Sequence, residues 1–273
     1  MQRKNVWSVY FSATGTTEKI VTTIAKKIGE DLDISMKKFD FTFPNVRLQK
    51  KSFTTEDIVV FGVPVIAGRV PNLLLKYLDT IEGNGALCIP IVAYGNRNYD
   101  DALIELRNIL SKVGFKPIAA GAFIGEHSFS QVLGENRPDG KDLDIATNFA
   151  DNISKKILSS DFNENEIIDV KGENPIRQYY QPRDSKGNPI DIRKVTPKTN
   201  NLCINCKLCA VICPLGSIKY DNVRELQGVC MKCCACVKRC PVEAKYYDDE
   251  NYLYHQHELE FQYTRRAEPD LFI

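Results

Sequence analysis

Cys203-Ile-Asn-Cys206-Lys-Leu-Cys209-Ala-Val-Ile-Cys213-Pro214 and Cys230-Met-Lys-Cys233-Cys234-Ala-Cys236-Val-Lys-Arg-Cys240-Pro241 are two copies of one pattern. Each copy reads cysteine, two residues, cysteine, two residues, cysteine, three residues, cysteine, proline. Adding 27 to 203, 206, 209 and 213 gives 230, 233, 236 and 240. Runs of this kind hold two cubane iron–sulfur clusters. Three thiolates on a tight loop wrap one cluster, and the fourth, placed before the proline, reaches the other. The spacing therefore assigns Cys203, Cys206, Cys209 and Cys240 to one [4Fe-4S] cluster, and Cys230, Cys233, Cys236 and Cys213 to a second. Zinc is the alternative, but zinc sites show separated cysteine pairs rather than triplets closed by Cys-Pro.

Working outward, eight of the ten cysteines are used in this way, leaving Cys88 and Cys234. Unpaired cysteines fit a reducing compartment. A length of 273 residues suggests about two domains. The formal net charge of +1 gives no basic bulk for nucleic acid and no acidic bulk for disorder. The N-terminal residues run straight into a strand-like segment, with no signal-peptide pattern, and no apolar run reaches the length of a membrane span. The expectation is a cytoplasmic chain with no membrane span.

The first half alternates strand and helix patterns. Val6 to Phe11 reads as a strand, followed by Ser12-Ala-Thr-Gly-Thr-Thr17 and a helix with Ile20, Ile24 and Ile28 on one face. A strand, a Ser/Thr/Gly loop and a helix start together make an anion site, although a plain N-cap reads the same way. No Lys follows the Gly, so this is not a nucleoside-triphosphate loop. Further strands are expected at residues 34–39, 57–65, 85–94 and 116–124, with helices at 72–78, 99–113 and 143–158. Such alternation predicts a doubly wound parallel sheet, whose ligands sit beyond the C-terminal strand ends. Residues 12–17, 64–71 and 94–100 occupy that edge. Asp100-Asp101 reads as a helix-capping pair, and His127 beside Glu126 as a structural loop histidine rather than a proton relay. Residues 161–195, with Pro175, Pro182 and Pro189, read as an extended linker that Tyr179 and Tyr180 anchor.

The loop Ser12-Ala-Thr-Gly-Thr-Thr17 resembles the phosphate loop of flavodoxins, which bind FMN. Gly62-Val-Pro-Val-Ile-Ala-Gly-Arg-Val-Pro71 and Tyr94-Gly-Asn-Arg-Asn-Tyr-Asp-Asp101 resemble the two other flavin loops. With the cysteine repeat, nearly the whole chain is similar to flavodoxin–ferredoxin fusion proteins of anaerobic bacteria and archaea. The resemblance implies a flavodoxin-like, doubly wound, five-stranded parallel α/β domain (residues 1–160). A linker (161–195) and a small α+β ferredoxin-like domain with an aromatic tail (196–273) would follow, the tail packing the second domain on the first. It further implies that Ser12, Thr14, Gly15, Thr16 and Thr17 hold the FMN phosphate. Pro64, Val65, Ala67, Gly68 and Arg69 would pass beside the ring, with Ala67-Gly68 facing its N5. Tyr94, Gly95, Asn96 and Tyr99 would form the third loop, either tyrosine stacking on the flavin. Two departures stand out: Thr16 replaces the usual Asn, and the only Trp is Trp7, on the first strand.

The implied activity is low-potential electron transfer between two [4Fe-4S] clusters and FMN. The chain would serve as a carrier for ferredoxin- or flavodoxin-dependent oxidoreductases, with no residue assigned a catalytic role. The alternative is an FMN-dependent reductase of a quinone, nitro compound or oxygen, fed by its own clusters. Leu202, Ile204, Leu208, Val211, Ile212, Ile218 and Val237 are expected to shield the clusters. Lys245, standing where the first copy has Ile218, is expected to leave the second cluster more exposed.

Overall fold

The computed structural model describes residues 3–273. Its frame is a sheet of β1 (Asn5–Tyr10), β2 (Ser35–Asp40), β3 (Asp57–Pro64), β4 (Leu87–Tyr94), β5 (Lys116–Pro117), β6 (Ala120–Ile124) and β9 (Asp270–Phe272). The order is β2-β1-β3-β4-β6-β9, with β5 also on β4. β1 to β6 are parallel, in registers such as Val6↔Ile58 and Val59↔Cys88. The order 2-1-3-4-5 of the parallel part is one of the two common doubly wound arrangements, flavodoxin-like in connectivity. β4 is buried along its whole length and β3 up to its last residue, which is why their sequences are unbroken apolar runs. β2 lies at the edge and is mostly exposed.

Helix α1 (Thr16–Leu32) and helix α4 (Gly140–Leu158) cover one face through Ile20, Ile24, Ile28, Phe149 and Ile153. The short α2 (Leu75–Leu78) and α3 (Ala102–Lys112) cover the other, over Phe61, Val63 and Val92. α4 starts three residues earlier than the apolar period suggests. Asp139 and Asp142 form a reciprocal capping box there, satisfying two orphan N–H groups.

The cysteine module holds β7 (Lys198–Thr199) antiparallel to β8 (Lys245–Tyr246), with one-turn helices α5 (Leu208–Val211) and α6 (Ala235–Lys238). α7 (Glu250–Gln262) follows, capped by Asp249 and burying Tyr252, His255 and Leu259. β9 then returns to the first sheet and pairs antiparallel with β6, Gly121 facing Leu271. The sheet thus gains a strand beyond the five expected, taken from within 196–273. No described helix is long and apolar enough to cross a membrane.

The segment 161–195 is extended, yet it is bound to the first unit. Ile168 N–H donates to Pro117 O at 2.9 Å, and Tyr180 N–H to Ala67 O at 2.8 Å. Asp101 stands before α3 but makes no side-chain cap. Its fully buried carboxylate accepts instead from the N–H groups of Glu173 (3.1 Å) and Arg177 (2.7 Å) and from the Arg177 guanidinium. The capping expectation for Asp101 is therefore corrected, because several long-range donors outcompete one local N–H.

Candidate cofactor sites

At the C-terminal strand edge, the loop after β1 turns at Gly15, whose φ of +92° favours glycine. Ser12 Oγ accepts from Glu18 N–H at 3.1 Å, and Ser12 N–H donates to Thr42 Oγ1 at 2.8 Å. Thr14 and Thr16 hydroxyls lie 3.4 Å apart. Among the described residues, the N–H groups of Thr14, Gly15, Thr16 and Thr17 meet no protein acceptor. These are orphan donors of a helix start, a donor set that suits a phosphate. Thr17 is buried against β3, where Gly62 permits the approach: a Cβ there would lie 2.9 Å from Thr17 Cγ2 and closer still to Val21. A Cβ at Gly125, just past β6, would collide with Thr16 Cγ2, so that strand end abuts the same loop.

The second loop follows Pro64 and Val65, whose N–H donates to Ala93 O at 2.8 Å. It closes as a two-residue turn, Ala67 (φ 50°) and Gly68 (φ +74°), with Ile66 and Arg69 exchanging both backbone bonds. Gly68 lies against Asp100 and leaves no room for a side chain. Arg69 forks onto Glu105 at 2.7 Å through both Nε and Nη2, and its guanidinium lies 4.7 Å from the Tyr179 ring. Its charge is thereby committed within the loop scaffold.

The third loop is held by the tail. Asn96 is buried and donates to both Tyr263 O and Arg265 O at 2.7 Å, while accepting from Ala267 N–H at 3.2 Å. Tyr94 and Tyr99 are buried with ring centroids 5.5 Å apart, and Tyr99 Oη bonds Asp270 at 2.6 Å. Gly95 packs against His127. His127 itself is half-buried. Desolvation first, then the charges of His255, Lys238 and Arg97, push its pKa down to about 3, and its Nδ1 accepts from Phe129 N–H. The contact with Gly95 and this bond fit a structural loop histidine.

In the cysteine module the sequence offset of 27 is carried by the backbone. Left-handed residues recur at Asn205 and Lys232, Lys207 and Cys234, and Gly216 and Glu243. Cys213 Sγ accepts from Ser217 N–H at 3.2 Å, and Cys240 Sγ from Ala244 N–H at 3.2 Å. Cys203, Cys206, Cys209 and Cys240 line one small cavity. Cys213, Cys230, Cys233 and Cys236 line another. All ten cysteines are free, and no three metal-binding side chains among the described residues converge on a single-ion point. Burial pushes the Cys233 thiol up to about 12 and raises Cys209 and Cys236 as well.

Cys234 shares the second cavity, and its thiol lies 3.5 Å from Tyr252 Oη. Position 234 matches Lys207 in the first copy, the left-handed residue before the helix. Lys245 departs from expectation: it is buried, lines the first cavity, and donates to Val223 O at 2.6 Å. Lys245 thus lies at the first cavity rather than opening the second, because its ammonium finds a carbonyl under the module. Of the residues expected to shield the clusters, Ile218 is buried, whereas Leu202, Ile204 and Val211 are each at least 60% exposed.

The two cavities differ in setting. Met231, lining the second, packs on the core of the first unit. Pro214, also lining it, accepts from Arg47 at 2.7 Å. The first cavity is rimmed by exposed Cys206 and Ile204.

The fold and these sites together describe a doubly wound, flavodoxin-like α/β unit carrying a two-cavity cysteine module. No family model matches the chain, and no curated protein matches it. Among solved structures, it is similar to a flavodoxin from the domain Archaea at 14% identity, covering 57% of this chain and 99% of that one, with a TM-score of 0.40. A Fusobacterium nucleatum flavodoxin variant bound to flavin mononucleotide matches at 15% identity, 58% and 99% coverage and a TM-score of 0.39. An apo NADH:FMN oxidoreductase matches at 15% identity, 60% and 95% coverage and 0.41. The doubly wound assignment rests on the strand order above rather than on these likenesses.

Proposed function

We propose that the protein is a low-potential electron carrier. In this reading, two [4Fe-4S] clusters on the eight repeat cysteines exchange electrons with FMN at the sheet edge. The observation that carries it is the division of the eight repeat cysteines, four and four, between two cavities, each drawing its fourth from the other repeat, with Cys234 a fifth at the second. Residues 12–17 would hold the FMN phosphate through orphan N–H groups and hydroxyls, and residues 64–69 would flank the ring. Bound FMN would supply the exchange between one- and two-electron chemistry. Met231 and Pro214 join the cavity of Cys213, Cys230, Cys233 and Cys236 to the first unit, which supports its cluster as the one that exchanges electrons with that unit. The cluster on Cys203, Cys206, Cys209 and Cys240 faces outward, toward a ferredoxin- or flavodoxin-dependent oxidoreductase. Free thiols and thiolate ligands suit the reducing cytoplasm. In this reading residues 1–160 form the flavin unit, 161–195 a strap, and 196–273 the cluster unit, except that Asp270–Phe272 returns to the first sheet.

The test is anaerobic flash reduction of the clusters followed by flavin absorbance. Flavin reduction at a rate independent of protein concentration is expected. A rate that scales with protein concentration would mean that electrons do not pass within the chain.

A further inference from the structure

We propose that Lys245 is the buried counter-charge of the first cluster, and that its ammonium makes that cluster the more readily reduced of the two. This rests on the cluster reading above. Lys245 is 3% exposed and lines the cavity of Cys203, Cys206, Cys209 and Cys240. Its Nζ donates to Val223 O at 2.6 Å. Three other lysines of the module, Lys198, Lys219 and Lys238, pair with Asp248, Glu225 and Glu126. Among the described residues, no carboxylate lies within ion-pair distance of Lys245.

A charge taken out of water is costly unless an opposite charge meets it. The Val223 carbonyl satisfies a hydrogen bond but supplies no opposite charge. What the ammonium does have beside it is a set of four sulfurs. At Cys209, burial raises the thiol pKa and the Lys245 charge is the first influence against it. At Cys240, burial is outweighed by backbone N–H bonds and by the same charge. Thiolates around a cubane cluster carry net negative charge, and reduction increases it. A fixed positive charge at the cavity therefore stabilises the reduced state more than the oxidised one.

The second site is built differently at the matching place. Adding 27 to 218 gives 245, and Ile218 lines the second cavity. Lys207 and Lys245 line the first cavity, whereas no charged side chain among the described residues lines the second. Lys232 is buried near the second site, but its Nζ turns to the carbonyls of Arg193 at 2.8 Å and Cys230 at 3.3 Å. Backbone donors do not separate the sites, since Cys213 and Cys240 each accept one N–H at 3.2 Å. The buried lysine is what distinguishes them, and it favours the electron at the outward site.

The experiment is a reductive titration of the full chain, with dithionite supplying the electron, followed by electron paramagnetic resonance. Lys245→Gln keeps a donor toward Val223 O and removes the charge, whereas Lys245→Met removes both. With iron content unchanged, either variant should make the first cluster roughly tenfold harder to reduce, about 59 mV for one electron, as one nearby unit charge would. Lys245→Arg should titrate close to the native protein. In a Cys206→Ala background, where the second cluster alone is expected, adding Lys245→Met should leave its potential close to that of the background. A native potential in Lys245→Gln beside a lowered one in Lys245→Met would assign the effect to the hydrogen bond and overturn the inference. No shift in either variant overturns it too, as does an equal shift of the second cluster. Loss of the first cluster in both neutral variants but not in Lys245→Arg supports it, and loss in all three means a packing role and overturns it. A native chain that holds no iron removes the cluster reading, and this inference with it.

Discussion

Tyr180 and Ala67 are joined by a backbone hydrogen bond of 2.8 Å, which fastens the segment between the two units across the turn expected to face the flavin. The Tyr180 ring continues the bridge. It lies 4.2 Å from the Arg97 guanidinium on one side and stacks at 5.8 Å on His255 of α7 on the other. A strap, a flavin loop and the second unit therefore meet at one residue, which sets how the following variants should behave.

Asp101→Ala should release the strap. Burial opposes the charge of Asp101, but its bonds to Arg177 and Glu173 outweigh that and hold its pKa below the usual carboxylate value. Breaking this network is expected to cost about 2–3 kcal/mol in denaturant unfolding, with faster proteolysis within residues 161–195. The folded-state pKa is depressed, so the contribution is present above the unfolded value near 3.8 and lost as pH falls through the lower folded one. Arg177→Ala should reproduce part of the effect.

His127 gives a second, separate pH dependence. Its folded pKa of about 3 lies below the free value of 6.5, so the unfolded chain binds the extra proton between them. Stability should be full above 6.5 and fall progressively as pH drops toward 3. The groups facing it, His255, Lys238 and Arg97, all act in the same direction. His127→Gln should flatten the stability profile over that window while leaving cluster-to-flavin electron transfer unchanged. A lost transfer rate with normal cofactor content would restore the histidine to a redox role.

Cys234→Ser should keep the iron content of the native protein, because position 234 falls outside the repeat and occupies the place of Lys207. Cys206→Ala, by contrast, should empty the first site and lower the iron by about half, leaving the flavin in place. Iron assays on the two variants, prepared without air, separate ligand from bystander. Loss of iron in Cys234→Ser would make Cys234 a ligand at the second site.

Removal of residues 264–273 should loosen the third loop. It deletes β9 and leaves Asn96, Tyr99 and Arg137 without the tail groups they bond. Several buried hydrogen bonds are lost at once, so a fall of several kcal/mol is expected. Protection of the Ala120 and Ala122 amides from hydrogen exchange should fall with it, since β6 becomes an open edge. Unchanged protection would show that β9 contributes nothing to the sheet.

The parts legible in the sequence are those with a local physical cause. β3 and β4 announce themselves because burial on two faces demands unbroken apolar runs. The cysteine division could be read from spacing because the same left-handed backbone turns recur 27 residues apart, at Asn205 and Lys232 among others. What stayed hidden depends on distant partners. Asp101 looks like a cap until Arg177 reaches it from the strap. Asn96 looks free for a ligand until the tail occupies its amide. Asp270–Phe272 is too short to show a period, and its pairing is dictated by β6. Lys245 matches Ile218 in the repeat, and the carbonyl of Val223 explains how a lysine is buried there.

Quantitation of iron, sulfide and flavin in the native protein, purified without oxygen, tests the central claim most directly. The account predicts eight iron per chain, four for each of two [4Fe-4S] clusters, together with one FMN. A colourless protein, or a brown one devoid of flavin, would contradict it.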